Sequence, residues 1–454
     1  MRTVNPVTGQ TIAEYAEHTT TDVDALLDRA VRAQARWSAL TLEERLAALH
    51  RLAALLREQK DRHAALITAE MGKPLAQSVA EIEKCAWVCD HYADQAADLL
   101  GPHQVEVDDG EAYVQYLPVG VVLAVMPWNY PYWQVFRAVA PIMSSGNAIV
   151  LKHAENVTGC ALAIEALVAE AGFGEGTLQA LLLPGRHVSP VLADRRIAAA
   201  TLTGSERAGS SVAATAGEHI KKTVLELGGS DAFIVLEDAD VARAAEIAVR
   251  ARFQNAGQSC IAAKRFIVVD AVADDFVSAF VDRAEALRVG EPTADGVDLG
   301  PLARQDLRDD LADQVARAID AGDTLLTGGT VPAGPGAYYP ATVVEAGSTS
   351  SPIMREETFG PVAAILRVAD EDAAIDAAND STFGLSSSLW TRDLDRARRL
   401  STRLQAGGCF VNTMTASDPR LPFGGVKRSG YGRELAWFGI REFTNPQTVR
   451  IAAR

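Results

Sequence analysis

Short, almost wholly apolar runs decide what this chain can become. Val121-Val-Leu-Ala-Val-Met126, Ala148-Ile-Val-Leu-Lys152, Ala200-Thr-Leu-Thr203 and Ala232-Phe-Ile-Val-Leu236 follow one another with helical segments between them. A strand with one wet face alternates apolar and polar residues, whereas these runs do not alternate and so must be covered on both faces. Strands of that kind interleaved with helices predict a parallel, doubly wound α/β sheet. A second series runs over about 265–415, with Phe266-Ile-Val-Val269, Ala363-Ala-Ile-Leu-Arg-Val368 and Gly408-Cys-Phe-Val411. At 454 residues the chain is too long for one core. Two α/β domains and a small β element, discontinuous in sequence, are therefore expected.

The first hundred residues read differently. Residues 4–18 alternate around a Pro6-Val-Thr-Gly9 turn, and Thr41-Leu-Glu-Glu44 is a capping box ahead of Leu42, Leu46, Leu49, Leu52 and Leu56 at helical spacing. Helix continues to about Leu100, broken near Gly72-Lys-Pro74, and residues 103–118 form a hairpin turning at Asp108-Asp-Gly110. The Gly- and Pro-rich stretch 330–340 is a surface loop. The formal charge of −16 argues against nucleic acid or an anionic membrane as partner. No leader segment and no uncharged apolar run of membrane length is evident, so a cytoplasmic location is expected. Five scattered cysteines suit a reducing compartment, and nothing spaces them or the eight histidines as metal ligands.

Chemistry concentrates in a few stretches. Phe253-Gln-Asn-Ala-Gly-Gln-Ser-Cys260 brings small and amide residues up to one thiol, with Gly257 suited to a tight turn. A lone cysteine is more often a buried, inert side chain. Leu225-Glu226-Leu227-Gly228-Gly229 changes that balance, because a thiol and an apolar-flanked carboxylate suit nucleophilic attack followed by water activation. Asn129, in Pro127-Trp128-Asn129-Tyr130-Pro131, stands at a strand end, where open α/β sheets bind ligands. Its amide could donate to an oxyanion together with the Cys260 N–H. Lys152 and Glu155 follow the next strand and could hold a ribose diol. Gly204, Ser205 and Gly209 begin a helix that could face a pyrophosphate, although the spacing is no dinucleotide fingerprint.

Six motifs in order resemble the aldehyde dehydrogenase superfamily: Met126-Pro-Trp-Asn-Tyr-Pro131, Leu202-Thr-Gly-Ser205, Leu225-Glu-Leu-Gly-Gly229, Asn255-Ala-Gly-Gln-Ser-Cys260, Glu356-Glu-Thr-Phe-Gly-Pro361 and Pro422-Phe-Gly-Gly-Val-Lys427. The resemblance spans the chain and is greatest to the short bacterial succinate-semialdehyde dehydrogenases. It implies three parts: a dinucleotide-binding domain (1–102 and 119–228), a catalytic domain (229–434) and an oligomerisation element (103–118 and 435–454) of a homodimer or homotetramer. It also implies Cys260 as nucleophile, Asn129 in the oxyanion hole, Glu226 activating water for thioester hydrolysis, and Glu434 aiding proton movement. Trp128, Lys152, Glu155, Gly204, Ser205, Gly209, Leu227, Glu357 and Phe359 would contact the cofactor.

The substrate would be a short semialdehyde, held by Arg137, Ser417, Gln254, Tyr130 and Trp133. Arg137, eight residues beyond Asn129 on a helix, would look into the funnel toward Cys260 and meet a distal carboxylate. Relatives often carry an Arg in place of Gln254, a Lys in place of Ala138, and sometimes a second cysteine in place of Ala262. A carboxylate at Glu155 would accept from free ribose hydroxyls and repel a 2′-phosphate, so NAD is expected to be preferred over NADP. A general aldehyde dehydrogenase or a non-catalytic structural protein on the same fold are the alternatives; intact Cys260, Glu226 and Asn129 speak against the second.

Overall fold

The computed structural model describes residues 1–453. Two parallel-rich sheets carry the molecule. A six-stranded sheet runs, edge to edge, Gly430–Tyr431, Lys222–Glu226, Ile197–Thr203, Val121–Met126, Ala148–His153, Leu178–Ala180. All neighbours are parallel except the two-residue edge Gly430–Tyr431, which pairs antiparallel with Lys222–Glu226. A seven-stranded sheet runs Thr324–Thr327, Thr342–Glu345, Val362–Val368, Ala263–Val269, Asp231–Val235, Ser386–Trp390, Gly408–Val411, again with one antiparallel edge pair. Leu123, Val150, Phe233 and Ile267 are fully covered, which is why these strands show no alternation.

The run of apolar strands is divided differently from its reading as one series, with Asp231–Val235 on the side of the 228/229 boundary that the family resemblance implied. Asp231–Val235 does not continue the first sheet; it is a central strand of the second, between Ala263–Val269 and Ser386–Trp390. Composition cannot reveal this, since a doubly covered strand looks alike in either sheet.

The hairpin His103–Val105/Glu111–Pro118 forms as expected and gains a third strand, Thr444–Ile451, antiparallel along the full length of Glu111–Pro118. That strand begins nine residues later than the expected boundary at 435. The intervening helix Ala436–Glu442 lies instead against Leu75–Leu100, where Tyr92 Oη donates to the Ala436 carbonyl and Arg441 Nε to the Leu99 carbonyl. Residues 430–442 thus pack with the six-stranded sheet. One helical stretch, Glu155–Phe173, is long and apolar enough to cross a membrane, but it carries Glu165 and Glu170 and its apolar residues, Ile164 and Leu167 among them, pack in the core.

Candidate active site

The nucleophile stretch joins helix Val241–Phe253 to strand Ala263–Val269, and Cys260 packs against the core that holds Met126 and Tyr132. Helix Val241–Phe253 ends at Gln254, and Asn255, Ala256 and Gly257 then take successive left-handed conformations (φ 56°, 50° and 70°). Two of the three are not glycine, so the turn persists only because its surroundings over-determine it. Buried Arg252 does much of this, donating to the carbonyls of Gly257, Thr358, Gly360 and Ala263. Lys264 braces the other side, with Nζ donating to the Ser259 and Cys260 carbonyls at 2.8 and 2.7 Å. A Cβ on Gly257 would run into the Gly360 carbonyl. Gly257→Ala should therefore destabilise the protein by roughly 1–3 kcal/mol, as overpacking does, and lower kcat; unchanged thermal unfolding and kcat would mean the turn yields freely.

The site is electrostatically tight. Burial pushes the Cys260 thiol up to about 11, with Arg137 and Lys264 opposing the rise and Glu357 and Asp231 adding to it. Asn129 is buried against the loop: its Nδ2 donates to the Gln258 carbonyl at 3.0 Å, and Asn255 Nδ2 donates to the Asn129 carbonyl at 2.9 Å. The loop carrying Asn129 is pinned by Glu81, whose Oε1 accepts from the backbone N–H of both Tyr132 and Trp133 at 2.9 Å. Glu81 is in turn ion-paired with Lys73, also buried, whose ammonium lies 3.8 Å from the Tyr130 ring centroid. Breaking a buried pair from one side costs about 3–5 kcal/mol. Lys73→Met should lower the unfolding midpoint and kcat together, whereas an unaltered kcat would show that the Asn129 loop does not rely on the pair.

A cavity of about 370 Å³ opens onto the nucleophile, lined in part by Cys260, Tyr130, Trp133, Arg137, Gln254 and Ser417. Five expected substrate contacts thus share one chamber with the thiol. Arg137, however, is not free in it. The guanidinium is ion-paired with Glu434, lies 4.4 Å from the Phe423 ring centroid, and is 1 % exposed. Helical periodicity put Arg137 on the right face, but a Glu three hundred residues away claims its charge.

Glu226 and Glu434 lie beside Arg137 and do not line this cavity. Neither oxygen of the Glu226 carboxyl has a hydrogen-bond partner among the described residues. Burial and then the charge of Glu434 hold it well above the usual carboxylate range, against the pull of Arg137 and Arg433. Glu434 is likewise raised, chiefly by burial.

Of the residues expected at a dinucleotide, Trp128, Lys152, Glu155, Gly204, Ser205, Gly209 and Leu227 lie at or beyond the carboxyl ends of the six-stranded sheet, and Glu357 and Phe359 precede Val362–Val368 of the other sheet. Ser205 caps helix Glu206–Glu218, and its Oγ accepts from the Ala208 N–H, leaving a 13-residue helix with its positive end at the strand ends. Trp128 and Phe359 meet edge to face at 5.7 Å, near Lys264, and Glu357 accepts from the Gly229 N–H at 3.0 Å while lying 3.3 Å from Lys264 Nζ. Buried Leu227 donates its N–H to the Ser429 carbonyl. Two glycines depart from expectation. The Gly204 N–H donates to the Glu226 carbonyl and the Gly209 N–H to the Ser205 carbonyl, so neither is spare for a pyrophosphate. Gly209 is instead a packing requirement, because a Cβ there would stand 2.5 Å from Leu227 Cδ2. Lys152 and Glu155 flank the end of Ala148–His153. Burial lowers the Lys152 ammonium and Glu155 opposes this, while the Glu155 carboxylate accepts from the Gly185 N–H at 3.3 Å. A helix N-terminus, an aromatic residue and an unbonded ammonium at the carboxyl ends of neighbouring strands fit a dinucleotide.

Comparison with known proteins agrees with this arrangement. The sequence profile of the aldehyde dehydrogenase family matches residues 1–449. The chain belongs to the aldehyde dehydrogenase family. It is 49% identical over 450 residues, 99% of each chain, to a probable succinate-semialdehyde dehydrogenase (NADP+) of Synechocystis sp.. It is 49% identical over 453 residues, 99% of each, to succinate-semialdehyde dehydrogenase (NADP+) 1 of Mycobacterium tuberculosis. The crystal structure of a Streptococcus pyogenes succinic semialdehyde dehydrogenase in complex with NADP+ superimposes with a TM-score of 0.97, at 38% identity and full coverage of both chains.

Arg252, Lys264, Lys73 and Glu81 escaped the sequence reading. Glu81 left one trace: it falls on the buried stripe Ser78, Glu81, Ile82, Cys85, Cys89, Tyr92 of its helix, where a charge demands a partner.

Proposed function

We propose that this aldehyde dehydrogenase oxidises succinate semialdehyde to succinate, with NADP as the favoured cofactor. The observation that carries the substrate is the cavity itself, which joins Cys260 to a wall containing Lys84, Arg137 and Arg250. A cationic wall suits an aldehyde that bears a distal carboxylate, and the relatives' names agree.

The reading gives each group a task. Cys260 Sγ attacks the aldehyde carbon, and the oxyanion is met by the Asn129 amide and the Cys260 N–H. A dinucleotide bound at the strand ends supplies a hydride acceptor at the nicotinamide. Glu226 takes a proton from the water that hydrolyses the thioester on Cys260, and Glu434, tied to Arg137, keeps a second carboxyl beside it.

The cofactor departs from the NAD preference expected from Glu155, and the relatives named above carry NADP in their names. Two features support the change. The Glu155 carboxylate is within reach of the Gly185 N–H, and Lys152 Nζ has no hydrogen-bond partner or ion pair among the described residues. An ammonium so placed suits a 2′-phosphate. Assays of succinate semialdehyde and butanal with each cofactor, read by absorbance of the reduced nicotinamide, test both parts. The semialdehyde should lead in kcat/KM, and NADP should lead NAD, with Lys152→Ala erasing the second lead. Better turnover of butanal would overturn the substrate, and a lead for NAD would overturn the cofactor.

A further inference from the structure

Three cations stand in the wall of the Cys260 cavity, and one of them comes from a helix near the start of the chain. Lys84 lies on helix Leu75–Leu100, far in sequence from the nucleophile. Its Nζ donates to Ser417 Oγ at 2.8 Å and stands 4.2 Å from the centroid of the Trp133 ring. Lys84, Ser417, Trp133 and Cys260 all line the same chamber. The nearest carboxylates are spoken for: Glu81 pairs with Lys73, and Asp418 with Arg420 at 2.6 Å. Of the two other cations on that wall, Arg137 is paired with Glu434, and Arg250 is exposed at the end of helix Val241–Phe253. An ammonium that faces the chamber beside Cys260, with one hydroxyl as its hydrogen-bond partner and no carboxylate of its own, suits an anion.

We propose that Lys84, with Ser417 beside it, is the group that receives the substrate's distal carboxylate, and that it sets the preference for a semialdehyde over an uncharged aldehyde. The inference rests on the reading that the substrate bears such a carboxylate. Lys84 then takes the task that position alone had suggested for Arg137. The Trp133 ring holds the lysine stem and head in place, so little side-chain freedom is lost on binding.

The surroundings of Lys84 add a pH signature. Burial, and next the charge of Arg137, push its ammonium down to about 8, while Cys85, Glu81 and Asp418 work in the opposite direction. Arg250 faces the same chamber, and Arg420 neutralises Asp418. The charged form of the free enzyme is therefore lost as pH rises through about 8, and the carboxylate's attraction goes with it. KM for succinate semialdehyde should climb above that pH, and KM for butanal should not follow.

Steady-state kinetics of the full-length enzyme, wild type and Lys84→Met, with succinate semialdehyde and butanal test this. A charge-assisted hydrogen bond is worth about 10- to 150-fold. Lys84→Met should cut the semialdehyde-to-butanal ratio of kcat/KM by that order, through KM, and should abolish the alkaline rise of KM. Lys84→Arg should restore much of the ratio. If the wild type discriminates and Lys84→Met keeps the ratio, the carboxylate is held elsewhere and only the Lys84 assignment falls. If the wild type does not favour the semialdehyde, the substrate reading falls and the assignment with it.

Discussion

Cys260→Ala should abolish aldehyde oxidation while leaving dinucleotide binding within about a few-fold, because the thiol takes part in bond formation and not in nucleotide contacts. The structure sharpens the expectation. Both flanks of Cys260 are fixed by backbone bonds that do not involve its side chain: Lys264 holds the Ser259 and Cys260 carbonyls, and Arg252 holds the turn before it. Removing the sulfur therefore leaves the loop standing, so a dead variant would report chemistry and not misfolding. The thiol is held up to about 11 chiefly by burial. Near neutral pH the free enzyme should thus react slowly with iodoacetamide, since only thiolate is nucleophilic. Oxidation by the alanine variant at a sizeable fraction of the wild-type rate would end the covalent mechanism. Binding lost in step with activity would place Cys260 in the cofactor site.

Glu226→Gln should permit one rapid round of hydride transfer and then slow hydrolysis by about 10²- to 10⁴-fold, the usual worth of a general base. The reason is positional. Glu226 ends the strand Lys222–Glu226, three residues before Gly229, where a Cβ would come within 2.7 Å of the Cys260 carbonyl oxygen. Its stretch thus abuts the nucleophile loop, and a base for water is not needed to form the thioester. Stopped-flow traces should show a burst of reduced nicotinamide followed by a slow steady state. If the first turnover slows as much as later ones, Glu226 has another role. The pH dependence adds a second check. Burial and the Glu434 charge raise the Glu226 carboxyl, and the working form is the ionised one. Steady-state turnover should therefore rise with pH through a limb lying above the ordinary carboxylate range, and Glu226→Gln should lack that limb.

Much of this protein could be read along the chain. Doubly covered strands such as Val121–Met126 must be apolar throughout, so the α/β class follows from local composition. The hairpin at 103–118 and the break at Gly72-Lys-Pro74 follow from turn chemistry, which is also local. Cys260, Glu226 and Asn129 stand in short motifs because each must meet a reacting atom through its own backbone setting. Charge pairing is different. Arg137 pairs with Glu434, Lys84 meets Ser417, and Lys73 and Glu81 pin a loop fifty residues onward. A buried cation is claimed by whichever carboxylate the fold brings within a few ångströms, and sequence distance says nothing of that. Helical periodicity put Arg137 on the correct face of its helix, and only the tertiary structure decided that its charge was already taken. The same holds for the strand Asp231–Val235, whose apolar residues fit either sheet, and for Gly209, whose missing side chain makes room for Leu227. Local periodicity and turn chemistry thus determined the class of fold, short motifs marked the candidate reacting residues, and packing between distant elements decided which charges are already paired.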